Sequence, residues 1–481
     1  MRSLRGERRT VIPERNDTKE GGRRQGFREV HESVAGTLPE TGRTAMRAHL
    51  LNIPCCNTGG RPLSEADLFG RAVLVQFFDD DPAGLLAWRE TAEFIADQGR
   101  GVLPCGVFSP EDAAAAERET MRKMVRRLNV VWPVTADASG DLRAVFAVPR
   151  LPLTVLLDPD GNEVWRGEPD DLPETGAIIA AWRRDGLLDT TPFVPSPEEE
   201  LRFDDVLHFP EAVAACDGLV VVADTGAHRL MAGRFIDERP LAVVEWIVGK
   251  MPGFSSGTFA EASFFGPRGL AFSPDGSALA VADSLNHAVR LADLETRTVR
   301  TLPGFVRLPT AVAYLGETLF AAAPCAGAIV RMNEKGPEIA ARVPGVLALA
   351  GDGERLWFLD GAGGIGWFDP GNGATGALAL SRPLVRPAGL CLAQADGLLL
   401  CVAETGANAV ATIDPATGEV KTRAGKGRGY VDGFRPRFFG PRGIAAMSRT
   451  LFVADTSNHA LRAVSLAESG AGSVTLYAAA E

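Results

Sequence analysis

Three histidines occupy the same place in a repeated sequence pattern, because His228, His287 and His459 each follow an aspartate by four residues. Imidazole is a common metal ligand, so three equivalent histidines could bind one ion. Ligands must reach a shared ion at about 2.0–2.1 Å, whereas equivalent turns of neighbouring sheets lie on the order of 10 Å apart. We therefore expect no metal site and interpret the histidines as turn residues. The acids and amides of the same turns, which suit backbone hydrogen bonds, are Asp224, Asp283, Asn286, Asp455 and Asn458.

Two arginines, Arg268 and Arg442, lie in separate copies of the sequence FGPRG. The guanidinium group is planar and permanently charged, and it suits carboxylate and phosphate partners. Each arginine either forms an ion pair with an acid of an adjacent repeat or contacts an anionic ligand, and the sequence leaves both interpretations open. Both are therefore candidate binding residues.

The segment 421–442 is strongly basic, in contrast to the formal net charge of −11 for the whole chain. Its single acid is Asp432, and its basic residues are Lys421, Arg423, Lys426, Arg428, Arg435, Arg437 and Arg442. Tyr430, Phe434, Phe438 and Phe439 lie among them. Basic side chains interleaved with aromatic rings can bind single-stranded nucleic acid or an acidic protein. The alternative is a solvated connecting loop whose aromatic rings pack between two sheets.

The seven cysteines are an odd number, and they include no C-x-x-C pair and no spacing typical of a zinc site. Reduced and mostly buried thiols are the expected state. Cys105 is the candidate for a single-cysteine redox protein, but its position within a predicted central strand favours a place in the core.

An internal repeat organises the second half of the chain. Short apolar segments end at Asp224, Asp283, Ala323, Asp360, Glu404 and Asp455, and their spacing is close to the blade length of a β-propeller, about 40–45 residues. A proline segment, such as FGPRGLAF at 265–272, precedes each of them by 10 to 15 residues. The copies VVVADTGAHRL, LAVADSLNHAVR and LFVADTSNHALR resemble the NHL repeat family. The resemblance implies an all-β six-bladed propeller over 201–481, with proline segments and turns on one face.

Residues 60–190 alternate predicted strands and helices, beginning with the buried strand AVLVQFF at 72–78. The segments RPLSEADLFGRAVLVQFF and VPRLPLTVLLDPDGNEV resemble the redoxin branch of the thioredoxin fold. The resemblance implies an α/β domain with a cis-proline at Pro152 and a C-x-x-C motif directly after Phe78. Here the chain reads DDDPAGLL, with Pro82 and Leu85 near the cysteine positions. The acids oppose a thiolate and Asp81 can cap a helix, so we predict a degenerate redox site.

The complete arrangement resembles NHL-repeat-containing proteins with an N-terminal thioredoxin-like domain, here with its redox motif lost. We predict a disordered tail over 1–45, a thioredoxin-like domain over 46–189, a linker over 190–200 and the propeller over 201–481. The tail is too polar to form a core, and a second interpretation places the true start at Met46. No apolar run is long enough to cross a membrane, so we expect a cytoplasmic protein.

Three functions remain open at this level. The lack of a redox motif, a nucleophile elbow or a phosphate loop favours a non-catalytic binding or scaffold protein without a cofactor. Its partner would be a protein or an anionic ligand on the propeller face that carries the proline segments. The alternatives are an enzyme, either a propeller lyase or hydrolase or a single-cysteine redox protein, and a nucleic-acid binder that uses 421–442.

Deleting residues 1–45 is expected to leave the melting temperature unchanged within about 2 °C, less than a loss of about 1 kcal/mol produces in a small domain. The physical reason is that this polar segment adds no core. Calorimetry of the full and the truncated chain measures the difference, and a large drop would show that the tail packs on a domain.

Overall fold

A computed structural model describes residues 46–51, 53–58, 61–79, 88, 91, 92, 94–109, 121, 122, 125, 130–195, 206–235, 244–425, 427–467 and 473–476. The predictions for the tail 1–45, for Asp81, Pro82 and Leu85, for residues 196–200 of the linker and for Lys426 lie outside these residues. The described residues from Met46 onwards belong to one compact unit.

The N-terminal part contains a six-stranded mixed sheet. Its strands are β1 Cys55–Cys56, β2 Ala72–Phe78, β3 Val102–Phe108, β4 Val134–Ala136, β5 Leu153–Leu157 and β6 Glu163–Gly167. They lie in the order β1–β4–β3–β2–β5–β6. β2, β3 and β4 are parallel, whereas β1, β5 and β6 pair antiparallel to their neighbours. All seven residues of β2 are buried, because the strand packs against apolar clusters on both faces.

Short helices surround this sheet. They are α1 Glu65–Leu68, α2 Asp141–Val145 and α3 Gly176–Arg184, with 3-10 helices at Met46–Leu50 and Pro169–Thr175. Residues 88, 91, 92, 94–98, 121, 122 and 125 are also helical. None of the helices in the described part of the chain is both long and apolar enough to cross a membrane. The peptide bond between Leu151 and Pro152, directly before β5, is cis.

The predicted six-bladed propeller is confirmed. Blade 1 contains β7 Ala212–Cys216, β8 Leu219–Asp224, β9 Arg229–Arg234 and β10 Val244–Val248; blade 2 contains β11 Gly257–Thr258, β12 Pro267–Phe272, β13 Ala278–Asp283, β14 Ala288–Asp293 and β15 Thr298–Thr301; blade 3 contains β16 Val312–Leu315, β17 Thr318–Ala323, β18 Ala328–Asn333 and β19 Gly336–Arg342. Blade 4 contains β20 Ala348–Gly351, β21 Leu356–Leu359, β22 Ile365–Phe368 and β23 Thr375–Ala377; blade 5 contains β24 Pro387–Gln394, β25 Leu398–Glu404, β26 Ala409–Ile413 and β27 Val420–Ala424; blade 6 contains β28 Pro441–Met447, β29 Thr450–Asp455, β30 Ala460–Ser465 and β31 Ser473–Leu476. In every blade four strands form an antiparallel meander from one continuous stretch of chain, and in blade 2 the short strand β11 pairs with the last strand β15.

The innermost strands of the blades pack against one another around the ring, and β28 of blade 6 closes it against β7 of blade 1. The backbones approach closely here. A Cβ on Gly443 would lie 2.6 Å from the Cα of Ala212, and a Cβ on Gly389 would lie 2.0 Å from the carbonyl oxygen of Arg442. Glycine is required at these two positions because the neighbouring strand leaves no room for a side chain.

In four blades, the strand beside the innermost one ends with a fully buried carboxylate. This carboxylate fixes the proline segment of the same blade. Each carboxylate accepts a hydrogen bond from the backbone N–H two residues before the proline. The pairs are His208 with Asp224, Phe265 with Asp283 at 2.8 Å, Val385 with Glu404 at 3.0 Å, and Phe439 with Asp455 at 2.7 Å. Each carboxylate also forms an ion pair, with Arg229, Arg290, Arg382 and Arg462 respectively.

In blades 2 and 6 this arginine is itself fully buried. Burial raises the pKa of Asp283 and of Asp455 to about 6, against the lowering effect of their hydrogen bonds and of the arginines. Both carboxylates therefore stay mainly ionised at neutral pH. Removing one partner of such a pair leaves an uncompensated buried charge, which is strongly destabilising.

The Asp283→Asn substitution is expected to lower the free energy of unfolding by about 3–5 kcal/mol, because it keeps the shape but removes the carboxylate that pairs with the buried Arg290 cation. Denaturant unfolding monitored by tryptophan fluorescence measures the loss. The matched control is Glu419→Gln, which removes an exposed ion pair with Lys421 and should change little. Equal effects for the two variants would contradict this account of the turn.

Candidate functional site

A cavity of about 620 Å³ lies where the inner ends of the six blades meet. In every blade, the residue that follows the proline at or before the start of the innermost strand lines this cavity. These six residues are Glu211, Arg268, Thr310, Gly345, Ala388 and Arg442. In blade 4 the residue in register with Glu211 and Thr310 is Leu347, which lines the cavity as well. The propeller therefore builds the cavity from one equivalent position per repeat, on the face that we call the proline face.

The charged lining residues are distributed unevenly. Arg268 of blade 2, Arg386 of blade 5 and Arg442 of blade 6 bring three guanidinium groups to the cavity, and Glu211 of blade 1 brings a carboxylate. The described lining residues of blades 3 and 4 are uncharged: Thr310, Pro324, Cys325, Gly345, Leu347, Gly361, Ala362 and Gly363. An anion in this cavity would therefore bind off the ring axis, towards blades 2, 5 and 6.

Arg268 and Glu211 form a buried ion pair across the junction of blades 1 and 2. The guanidinium Nε lies 2.6 Å from Oε2 of Glu211, and both side chains are about 95% buried. Of the two interpretations of Arg268, the pair with an acid of an adjacent repeat is thus present. Arg442 lies in the same cavity and is half-buried, which leaves part of its surface accessible to a ligand.

The buried carboxylates Asp224, Asp283, Glu404 and Asp455 are called the turn acids. The residue that follows this position connects neighbouring blades. In four blades it is a threonine or serine whose hydroxyl donates a hydrogen bond to the carbonyl of the next blade's proline. The pairs are Thr225 with Pro267 at 2.6 Å, Ser284 with Pro309 at 2.5 Å, Thr405 with Pro441 at 2.7 Å, and Thr456 with Pro210 at 2.6 Å. Pro324 and Gly361 occupy this position in blades 3 and 4. Four of the six junctions therefore share one hydrogen bond.

The turn histidines occupy the left-handed backbone region, with φ of 56° for His228, 53° for His287 and 55° for His459. Nδ1 of His228 accepts the N–H of Gly266 at 3.1 Å, and Nδ1 of His287 accepts that of Leu308 at 3.2 Å. The ring of His459 lies 4.2 Å from that of Phe209. Burial lowers the pKa of His228, which favours the neutral acceptor form. Each histidine thus serves a different junction, and the described residues contain no cluster of three metal-ligating side chains.

The asparagines Asn286 and Asn458 hold the long connecting segments ahead of blades 2 and 6. Their amide groups donate to the carbonyls of Gly253 and Gly429 at 2.7 and 2.8 Å, and to the turn acids at 2.8 Å. The segment ahead of blade 6 includes most of the basic stretch 421–442. Arg462 also holds this segment, because it donates a hydrogen bond to the carbonyl of Val431.

The basic stretch is partly core and partly surface. Arg462 donates to the carbonyl of Val431 at 2.7 Å and lies over the rings of Tyr430 and Phe438. Arg428 lies 4.1 Å from the centre of the Phe439 ring. Phe434, Arg435 and Arg437 are exposed, and neither they nor Arg428 line the cavity. The exposed part of the basic stretch is therefore a surface separate from the cavity.

The thiols differ in accessibility. All seven cysteines lie in the described residues, and none of them forms a disulfide bond. Burial raises the pKa of Cys105 well above its usual range, so this thiol stays protonated and is a poor nucleophile. Burial also raises the pKa of Cys55 to about 11. Cys325 is exposed and lines the cavity.

Three charged lining residues were missed from sequence: Glu211, Arg386 and Asp79. Glu211 could have been found by aligning the residue after the proline in all six repeats, because that position supplies the ring. Arg386 precedes its proline and matches no equivalent arginine. Asp79 belongs to the N-terminal part, where it directly follows β2, and no repeat pattern could place it at the propeller.

Comparison with known proteins identifies homologues for about half of the chain. NHL repeat-containing protein 2 of Gallus gallus is 27% identical over 279 residues, which cover 56% of this chain and 36% of that protein. The same protein of Homo sapiens is 28% identical over 249 residues, 50% of this chain and 33% of its own length. The chain thus matches about a third of the length of these relatives.

Among solved structures, a chain of the nidogen/laminin complex is similar with a TM-score of 0.40 and 16% identity, over 53% of this chain and 90% of that chain. No protein-family profile matches the sequence. The chain is therefore a six-bladed β-propeller protein with homologues among the NHL repeat-containing proteins.

Proposed function

We propose that this chain is a non-catalytic binding or scaffold protein whose proline face takes a partner that carries anionic groups. The observation that supports this most is the ring of residues after the prolines, which with Arg386 brings three guanidinium groups to one cavity. Arginine is permanently charged and cannot act as a general acid or base at neutral pH, but it binds carboxylates with directed hydrogen bonds. Recognition of anions suits this cavity better than acid–base chemistry.

The N-terminal part is, in this proposal, a thioredoxin-like domain without redox activity. Parallel β2, β3 and β4, antiparallel β5 and β6, and a cis peptide before β5 support the fold. An aspartate, Asp79, follows β2 where the resemblance to the redoxin branch implies a cysteine motif, and Cys105 is buried. The domain then serves as a binding or positioning module, and the protein functions in the cytoplasm without a cofactor.

Reversing the charge of Arg442 is expected to weaken binding of a fluorescein-labelled hexa-aspartate peptide at least tenfold, since hydrogen bonds to charged groups contribute about 1.5–3 kcal/mol. Fluorescence anisotropy at low ionic strength measures the affinity. Arg300→Glu is the matched control, because Arg300 is exposed on strand β15 of blade 2 and its substitution makes the same change in net charge. If both variants lose affinity equally, the peptide responds to net charge alone and the cavity is not the site.

The full chain is expected to reduce insulin disulfides with dithiothreitol no faster than a protein-free control. The reason is that burial keeps the Cys105 thiol protonated and that no C-x-x-C pair is present. Turbidity of precipitating insulin chains provides the measurement. Activity above the control that Cys105→Ser abolishes would instead identify a single-cysteine redox protein.

A second candidate function is nucleic-acid binding through the exposed part of the basic stretch. Phe434 is 79% exposed beside the exposed Arg435 and Arg437, and an aromatic ring between cations can stack on a base. Salt-dependent binding of a single-stranded RNA that Arg435→Glu with Arg437→Glu removes, while Arg442→Glu retains it, would favour this function over the first.

A further inference from the structure

The cavity on the proline face contains one described residue that does not belong to the propeller. Asp79 lines it together with Arg268, Arg386 and Arg442. The only other charged group among the described lining residues is Glu211. A carboxylate from the N-terminal part of the chain therefore already lies among the arginines of the propeller.

The position of Asp79 is fixed by the strand that precedes it. Phe77 pairs with Leu153 of β5 and Phe78 with Phe108 of β3, so β2 is held along both edges. The N–H of Ser109 donates to the carbonyl of Phe78 at 2.9 Å. Asp79 follows at the carboxyl end of this buried central strand and is half-buried itself. The backbone next to Asp79 is thus held by hydrogen bonds of the sheet.

The three arginines of the lining differ in burial. Arg268 is buried in an ion pair with Glu211 at 2.6 Å, whereas Arg386 and Arg442 are half-buried. The described lining carries three guanidinium groups and the two carboxylates of Glu211 and Asp79. Its charge is thus more positive than that of the whole chain, which is −11, and this favours an anionic partner.

We propose that Asp79 is a built-in ligand of this cavity and that the partner is an aspartate-rich protein segment which competes with it for Arg386 and Arg442. The proposal rests on the proposed function and specifies its ligand class. The chain continues after Asp79 with Asp80 and Asp81, so its own sequence shows the composition that the partner would present. A tethered ligand acts at an effective concentration that is typically about millimolar, and the partner must overcome it.

The test compares the full chain with its Asp79→Asn variant for binding of the labelled hexa-aspartate peptide. Asparagine keeps the size of the side chain and removes the charge, so the built-in ligand competes less. The affinity is expected to rise at least about fivefold, the lower end of typical coupling between two sites. Asp160→Asn is the control, because Asp160 is exposed in the β5–β6 turn, does not line the cavity and makes the same change in net charge.

The outcomes separate this inference from the proposed function. If Arg442→Glu weakens binding but Asp79→Asn matches the Asp160→Asn control, the cavity binds acidic segments and Asp79 is not a competing ligand. Weaker binding by Asp79→Asn would overturn the inference as well. If neither the parent chain nor Asp79→Asn binds the peptide, both the proposed function and the inference fail. Displacement of the peptide by single-stranded RNA alone would assign the cavity to nucleic acid and overturn the ligand class.

Cys325 provides a second readout that reports the place of binding. Its thiol is exposed and lines the same cavity. Saturating hexa-aspartate is expected to slow alkylation of Cys325 by iodoacetamide, measured by mass spectrometry. Asp79→Asn should lower the peptide concentration that gives half-maximal protection. Unchanged alkylation at a peptide concentration that saturates the anisotropy signal would show that the peptide binds elsewhere, which overturns the inference.

Discussion

A buried turn carboxylate that accepts the backbone N–H ahead of a proline holds the proline segment in four of the blades. The hydroxyl of the next residue holds the proline segment of the following blade. Two consecutive residues thus fix a blade and its neighbour, and a charged acid is used because hydrogen bonds to a carboxylate are stronger than those to a neutral acceptor. The lining of the cavity follows from this in five blades, because a proline segment held by such an anchor precedes each of Glu211, Arg268, Thr310, Ala388 and Arg442.

The repeat was readable from sequence because its period and its turn residues are local. The roles of single residues were harder to predict from the sequence. Arg290 and Arg462 lie seven residues after the turn acids, within the same conspicuous motif, yet their complete burial depends on the connecting segments that fold over them. The pair between Arg268 and Glu211 joins two repeats that are 57 residues apart. The sequence identifies these charged residues as candidates, but only the folded propeller shows which of them form ion pairs with each other.

The basic stretch illustrates the same limit at a surface. Its aromatic residues have similar sequence surroundings, but Phe438 is fully buried whereas Phe434 is 79% exposed. The difference arises because the guanidinium of Arg462, from a strand that follows in sequence, stacks on Tyr430 and Phe438 and binds the adjacent carbonyls. Both interpretations of the stretch thus apply to different parts of it: some rings pack as core, and the remainder faces solvent.

The way the ring closes has a consequence for chain topology. Each blade is one uninterrupted stretch of chain, and the described strands of blade 6 all follow those of blade 5 in sequence. The contact between Thr456 and Pro210 at the closure is of the same kind as the contact between Thr405 and Pro441, where the chain runs on without a break. The junction that closes the ring is therefore held by the same kind of contact as a junction within the chain. For these contacts, the order of the blades in space matters more than the order in which the chain connects them. A circular permutation that opens the chain between two other blades would preserve every one of these contacts.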